Sequence, residues 1–246
     1  MADKKTSGVT EGSTHVQGGS FQIAEAYKMI RTNLLFTLAN TDKRTVVFSS
    51  AEPNAGKSTL CANLGIVMAQ MGIRVLLVDA DMRKPMQHRY FRQSKSMGLS
   101  KILGGINTAD ECIIRQVLPN LDLLPSGVVP PNPSELLASK RMKDLLRDLD
   151  GQYDYVFIDT PPLSVVADAL MLLPESAGAV LVARQRQTTY DELEEAIEEV
   201  EQISNNLLGV VLMDVRVNKT GYSQYEKFRY YRSYNYEYVN RKKRRT

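Results

Sequence analysis

Residues 45–72 read TVVFSSAEPNAGKSTLCANLGIVMAQMG. An apolar strand-like run is followed by a short loop, and then by a helix-forming stretch that Gly72 can close. The order strand, loop, helix is the one a phosphate-binding loop requires. Backbone N–H groups converging at a helix N-terminus, a lysine and a hydroxyl oxygen are what a nucleotide phosphate and its magnesium ion need. Glu52, Pro53, Asn54, Ala55, Gly56, Lys57, Ser58 and Thr59 supply them, with Lys57 for the β- and γ-phosphates and Ser58 for the metal. The pattern departs from GxxxxGK[ST] at its first position, where Ala51 stands. A tight turn carrying a surface lysine is the bland alternative, so the decision rests on the surrounding sequence.

Outward from this stretch, five more apolar runs follow the first: 75–81, 121–125, 155–161, 178–184 and 208–215. They are continuous rather than alternating, as strands buried on both faces are. Helical stretches lie between them. In 132–151, Asn132 can cap, Pro133 suits the first helical position, Glu135 is the third residue and Gly151 can end the helix. Before the first strand, 20–40 reads as one long helix with Ser20 as its cap. The expected fold is α/β: a P-loop-type, mostly parallel sheet with helices on both faces and right-handed crossovers. Ligands of such sheets bind at the carboxyl ends of the strands. VLLVDADMR places Asp79 and Asp81 at one such end, on the same side if the chain stays extended, and YVFIDTPP places Asp159 at another. A lone aspartate there would be a turn former. Three of them after a phosphate loop reverse that preference, since magnesium beside a nucleotide requires about one or two carboxylates.

The 246 residues suffice for one substantial core, and the net charge of +3 is unevenly placed. From Tyr222 onward there are eight basic and two acidic residues, a charge of +6 that leaves −3 for the remainder. That segment also holds seven of the twelve tyrosines, Tyr222, Tyr225, Tyr230, Tyr231, Tyr234, Tyr236 and Tyr238, with no sustained period of 2 or 3.6. Residues 1–19 are small, polar and glycine-rich, which predicts a disordered leader, a core domain over 20–220 and a tail over 221–246. Cys61 and Cys112 are too few for a disulfide framework, which points to a reducing cytoplasm, and no apolar run reaches the roughly 20 residues of a spanning helix.

Taken together, AGKST, VLLVDADMRKP, VFIDTPP and the terminal tyrosines resemble the Walker A, Walker A′, Walker B and phosphorylated cluster of the bacterial tyrosine kinases (BY-kinases) that regulate capsular and extracellular polysaccharide synthesis. The resemblance covers about residues 20–246, in the separate-chain, CpsD/CapB-like form. It implies ATP and Mg2+ as cofactors, a membrane-anchored activator resembling a polysaccharide co-polymerase, a cognate tyrosine phosphatase and external protein substrates. It also implies cytoplasmic residence with recruitment to the inner face of the membrane. Glu25, Lys28 and Arg31 occupy the family's ExxRxxR pattern, which joins subunits into a ring, expected as an octamer. The seven tail tyrosines become phosphoacceptors, Lys57, Asp79 and Asp81 catalytic groups, and Ser58, Asp79 and Asp159 metal ligands. Asn54 stands where the family usually has glycine, and Met213 near where related proteins often place an asparagine by the base. The main rival is a partition or positioning ATPase of the ParA and MinD type. Those proteins carry an early loop lysine where this chain has Glu52, an acidic side chain that cannot serve at a phosphate. A nucleic-acid-binding tail is weaker still, since the segment is short and lacks a binding fold, and contact of NRKKRRT with acidic lipids is compatible with the kinase.

Overall fold

A computed structural model describes residues 21–215, apart from the side chains of Phe21 and Gln22. The expected leader, the cap at Ser20 and the tail with its seven tyrosines lie outside the described residues. Seven strands form one sheet: β1 Thr45–Ser50, β2 Val75–Asp79, β3 Ile114–Leu118, β4 Leu121–Leu124, β5 Tyr155–Asp159, β6 Gly178–Arg184 and β7 Leu207–Met213. Their order is β3-β4-β2-β5-β1-β6-β7, with only β3 antiparallel to its neighbour. This bears out the mostly parallel α/β sheet.

The edge strand β3 was not expected from the sequence. Ile114-Arg-Gln-Val-Leu118 has no continuous apolar run, because an edge strand paired on one side only leaves Arg115 and Gln116 exposed. Gln116 also takes a positive φ of 52°, where the register of the β3–β4 pair shifts.

Successive residues of the central strands serve opposite cores. Val46 and Phe48 of β1 and Val75 and Leu77 of β2 join one cluster; Val47, Leu76 and Val78 join the other. The first cluster lies under α1 (Phe21–Thr37) and α2 (Lys57–Ala69), with Phe48 and Phe157 edge to face at 5.1 Å. The second is covered by α4 (Leu99–Leu103), α6 (Pro133–Ala138), α7 (Lys140–Asp150) and α8 (Tyr190–Ser204), while α3 (Gln87–Tyr90) and α5 (Ala109–Cys112) are single turns.

Helix α2 is almost entirely buried, and it presses closely on the sheet. A Cβ at Gly65 would come within 2.9 Å of Leu77 Cδ2, so that position has no room for a side chain. Gly72, at φ 83°, turns the chain away beyond its end.

The stretch 132–151 is two helices rather than one. Ser139 is extended (φ −67°, ψ 156°), its hydroxyl donating to Leu136 O at 2.6 Å and accepting from Met142 N at 3.3 Å. A serine that serves both the end of one helix and the start of the next competes with the helical bonds that would have run through it. Asn132 does not cap the backbone; its Nδ2 donates to Glu135 Oε2 at 2.6 Å.

Candidate active site

Strand order makes the site. β1 lies between β5 and β6, and β5 between β1 and β2, so the phosphate loop after β1 opens beside the carboxyl ends of β5 and β2. Asp79 and Asp159 are register partners on β2 and β5. Residues about 80 apart in the chain meet because the sheet places their strands side by side.

The loop itself is shaped by two left-handed residues. Asn54 has φ 64° and Gly56 φ 102°. Asparagine tolerates this region better than most side chains, so it can stand where related loops have glycine. Ala51 is not among the positive-φ residues, so the missing first glycine costs the loop nothing in backbone conformation. The turn after β6 holds the loop from outside. Thr188 Oγ1 donates to Glu52 Oε1 at 2.7 Å, Gln187 Nε2 to Pro53 O at 2.9 Å, and Arg184 Nη1 to Asn54 O at 3.0 Å. Glu52 is thus a strut of the loop. Ala55 is buried beneath it.

Lys57, Asp81 and Asp159 converge. Lys57 Nζ lies 3.1 Å from Asp81 Oδ2, 3.5 Å from Asp159 Oδ1 and 3.2 Å from Ser58 Oγ. Burial works against the charge of Lys57, but Asp159 and Asp81 outweigh it, and its ammonium is held more firmly protonated than usual.

Asp79 goes a different way from Asp81. β2 ends at Asp79 and the chain leaves the strand immediately, with Met82 N–H bonding Ala80 O at 2.9 Å. The extended geometry assumed for the pair is therefore broken. Asp81 Oδ1 accepts from Lys84 N at 2.9 Å, while Asp79 Oδ2 accepts from Met86 N at 3.0 Å and Gln87 N at 2.9 Å. Asp79 is fully buried, and burial together with the charge of Asp159 pushes its carboxyl well above the usual range, partly opposed by the Gln87 N–H. Its Oδ1 has no hydrogen-bond partner among the described residues.

Two side chains at this site were missed in the sequence. Gln87 Nε2 donates to Ser58 O at 3.1 Å and to Asp159 Oδ2 at 2.9 Å. Tyr90 and Thr59 share a hydrogen bond at 2.8 Å, and burial first of all pushes the Tyr90 hydroxyl up, against the Thr59 bond. Both residues stand on α3, a single turn too short for periodicity to announce.

The donor set tests the expected metal. Ser58 Oγ and three carboxylates, one of them with an unpartnered buried oxygen, are all hard oxygen groups, which suits magnesium beside a nucleotide.

Helix α1 holds its three motif residues in two different ways. Lys28 Nζ pairs with Glu25 Oε1 at 2.7 Å within the helix, on its exposed side. Arg31 turns inward instead, and its Nη1 donates to Val67 O at 3.2 Å. Met71 N–H bonds Met68 O rather than Val67 O, so Arg31 serves one of the last carbonyls of α2.

Fold and site define a nucleotide-binding protein of the P-loop class, and residues 43–212 match the family model described as an AAA domain, to which the chain belongs. Within that class it belongs to the bacterial tyrosine-kinase family. It is 39% identical over 196 residues to the tyrosine-protein kinase YwqD of Bacillus subtilis, covering 80% of this chain and 83% of that protein. It is 38% identical over 209 residues to the putative tyrosine-protein kinase EpsB of Ralstonia solanacearum, but spans only 28% of that relative's length. Among solved structures, the chimerical protein CapA2B2 superposes with a TM-score of 0.76 at 38% identity, covering 82% of this chain and 92% of that one. The septum site-determining protein MinD of Pyrococcus horikoshii, solved with Mg-ADP, shares the fold alone, with a TM-score of 0.59 at 20% identity. No helix among the described residues is long and apolar enough to cross a membrane.

Proposed function

We propose that this protein transfers the γ-phosphoryl group of ATP to tyrosine hydroxyls, first those of the tail of a neighbouring copy, and thereby regulates capsular or extracellular polysaccharide synthesis and export. The observation that carries this reading is the convergence of one lysine and three carboxylates at the mouth of a phosphate loop, in a chain related over most of its length to tyrosine-protein kinases.

Phosphoryl transfer asks the protein for position and charge more than for covalent chemistry. Magnesium, when bound, would neutralise phosphate charge. The loop amides and Lys57 cradle the phosphates, Ser58 and Asp159 hold the metal side of the site, and Thr59 supports the loop from the first turn of α2. Lys57 is bound to Asp81. Movement of Lys57 onto the phosphates frees Asp81, which the geometry favours over the fully enclosed Asp79 as the group that takes the proton of an incoming phenol, whose ordinary pKa is about 10. Asp79 then serves mainly on the metal side.

The tail tyrosines Tyr222, Tyr225, Tyr230, Tyr231, Tyr234, Tyr236 and Tyr238 are the proposed acceptors. Each phosphate adds about −1.5 to −2 charge, so roughly four would reverse the +6 of that segment. A ring of copies joined through the α1 surface around Glu25 and Lys28, a membrane-anchored activator and a phosphatase that resets the tail complete the reading. It places the protein in the cytoplasm at the inner face of the membrane. The ParA and MinD alternative is disfavoured by Glu52, which is engaged with Thr188 rather than free to act on a partner's nucleotide.

The test is phosphosite mass spectrometry after incubation with magnesium and ATP, using Lys57→Met protein mixed with wild type. Phosphate on the tail tyrosines of the mutant is the expected result. Free phosphate release with unmodified tyrosines, even beside a bound activator, would replace the kinase with a partner-regulated ATPase.

A further inference from the structure

Gln87 ties together the three parts of the site. Its backbone N–H bonds Asp79 at the end of β2, and its Nε2 bonds both Ser58 O on the phosphate-loop helix and Asp159 at the end of β5. It has no solvent exposure. Because both partners of the amide nitrogen are acceptors, the orientation of the side chain is fixed. Its Oε1 is then a buried acceptor with no hydrogen-bond partner among the described residues, and Asp79 Oδ1 is another. Buried acceptors normally find donors, and leaving one without is costly. Two such acceptors on residues tied to each other, one of them also bonded to Asp159 and Ser58 O, call for donors that come with a ligand.

We propose that Gln87 is a positioning residue for the nucleotide's magnesium ion, with Gln87 Oε1 and Asp79 Oδ1 accepting hydrogen bonds from water that the ion retains. Magnesium dehydrates reluctantly and keeps several waters when carboxylates and phosphates hold it. Groups that receive bonds from such waters set metal affinity without touching the metal. Gln87 suits this task because one end of its amide is already committed to Asp159, which holds the other end in place. The inference rests on the nucleotide-binding reading above, and it assigns a role to a residue outside all three motifs.

The experiment is calorimetric titration of ADP into the full-length chain over a series of magnesium concentrations, so that binding rather than turnover is read. Gln87→Leu removes donor and acceptor at similar volume. Its ADP affinity should fall more at saturating magnesium than without magnesium, and the magnesium concentration at half effect should rise by about 10-fold or more. Gln87→Glu restores an acceptor, and should bring that concentration back to the wild-type value or below. Its melting temperature should rise more on adding magnesium and ADP than that of wild type, since a further carboxylate beside Asp79 and Asp159 is then relieved.

A wild-type magnesium response in Gln87→Leu overturns the proposal. So does equal loss of ADP affinity with and without magnesium in both variants, which would make Gln87 a strut alone. Should Gln87→Leu not fold, a half-effect concentration raised about 10-fold in Gln87→Glu is the overturning result. Failure of the wild type to bind ADP at any magnesium concentration is a different outcome, since it removes the nucleotide reading and this inference together.

Discussion

The two ends of the same sheet treat their carboxylates in opposite ways. At the amino end, carboxylates are matched to donors from the fold. Asp150 Oδ1 accepts from Arg44 N at 2.7 Å and Thr45 Oγ1 at 3.0 Å, and Asp154 Oδ2 accepts from Arg74 N at 2.8 Å. Asp122 accepts from Gln116 N, from the Tyr153 hydroxyl and from Arg115, each at 2.7 to 3.1 Å. At the carboxyl end, Asp79, Asp81 and Asp159 gather around a single lysine, and Asp79 keeps an oxygen without a partner. The first arrangement stabilises the fold as it stands. The second is complete only when something positively charged or proton-donating arrives, which is how a static structure marks the end where a ligand belongs.

Substitutions at the two ends should therefore separate activity from stability. The largest effect is expected at the carboxyl end: Lys57→Met should lower tyrosine phosphorylation by at least about 100-fold, as loss of a charge-stabilising donor does, measured by initial rates with saturating ATP. Wild-type rates would remove Lys57 from the phosphates and dissolve the contrast. Next comes Asp122→Ala at the amino end, which removes the acceptor of the Tyr153 hydroxyl and of the Gln116 amide, while Arg115 keeps Asp110. A loss of about 1 to 2 kcal/mol in urea unfolding is expected, with ADP affinity unchanged. Asp150→Ala leaves the start of β1 without two hydrogen bonds and should cost about 1 kcal/mol in the same assay. Altered nucleotide binding in either variant would show that the ends are coupled.

The smallest effect concerns pH. Its backbone bond from Arg74 above all holds the Asp154 carboxyl below its ordinary value. A depressed carboxylate contributes stability that is present above its unfolded pKa of about 3.9 and is lost as pH falls through the folded value. Asp154→Asn should flatten the acid side of the stability curve below about pH 4 by no more than a few tenths of a kcal/mol, since the pair is largely exposed and screened by solvent. An equal acid slope in mutant and wild type would show that Asp154 contributes nothing there.

Much of the fold was legible because its signals are local. Continuous apolar runs announced β1, β2, β4, β5 and β6, which are largely buried, and also the edge strand β7, whose Val210 and Leu212 are exposed although its run reads like that of a strand covered on both faces. Strand β3 was silent because an edge strand on the outside of the sheet can carry arginine and glutamine. The helix over 132–151 was overextended because a serine whose hydroxyl bonds in both directions looks, in sequence, like any polar residue between two amphipathic stretches. Glu25 and Lys28 paired as helical spacing allows, but the inward turn of Arg31 depended on a carbonyl at the end of α2 that no reading of α1 could supply.

By itself, the sequence determined that this chain has a phosphate loop between a strand and a helix, and that aspartates end two other strands. Strand, turn and helix propensities act over a few residues, and the chemistry of a lysine or a carboxylate is the same wherever it is read. Tertiary structure alone decided that β5 lies between β1 and β2, that Asp81 rather than Asp79 holds Lys57, and that Gln87 joins three motifs. Those facts depend on which buried strands pair and where the chain turns on leaving β2. Both are settled by packing between segments distant in sequence, where no local pattern reaches.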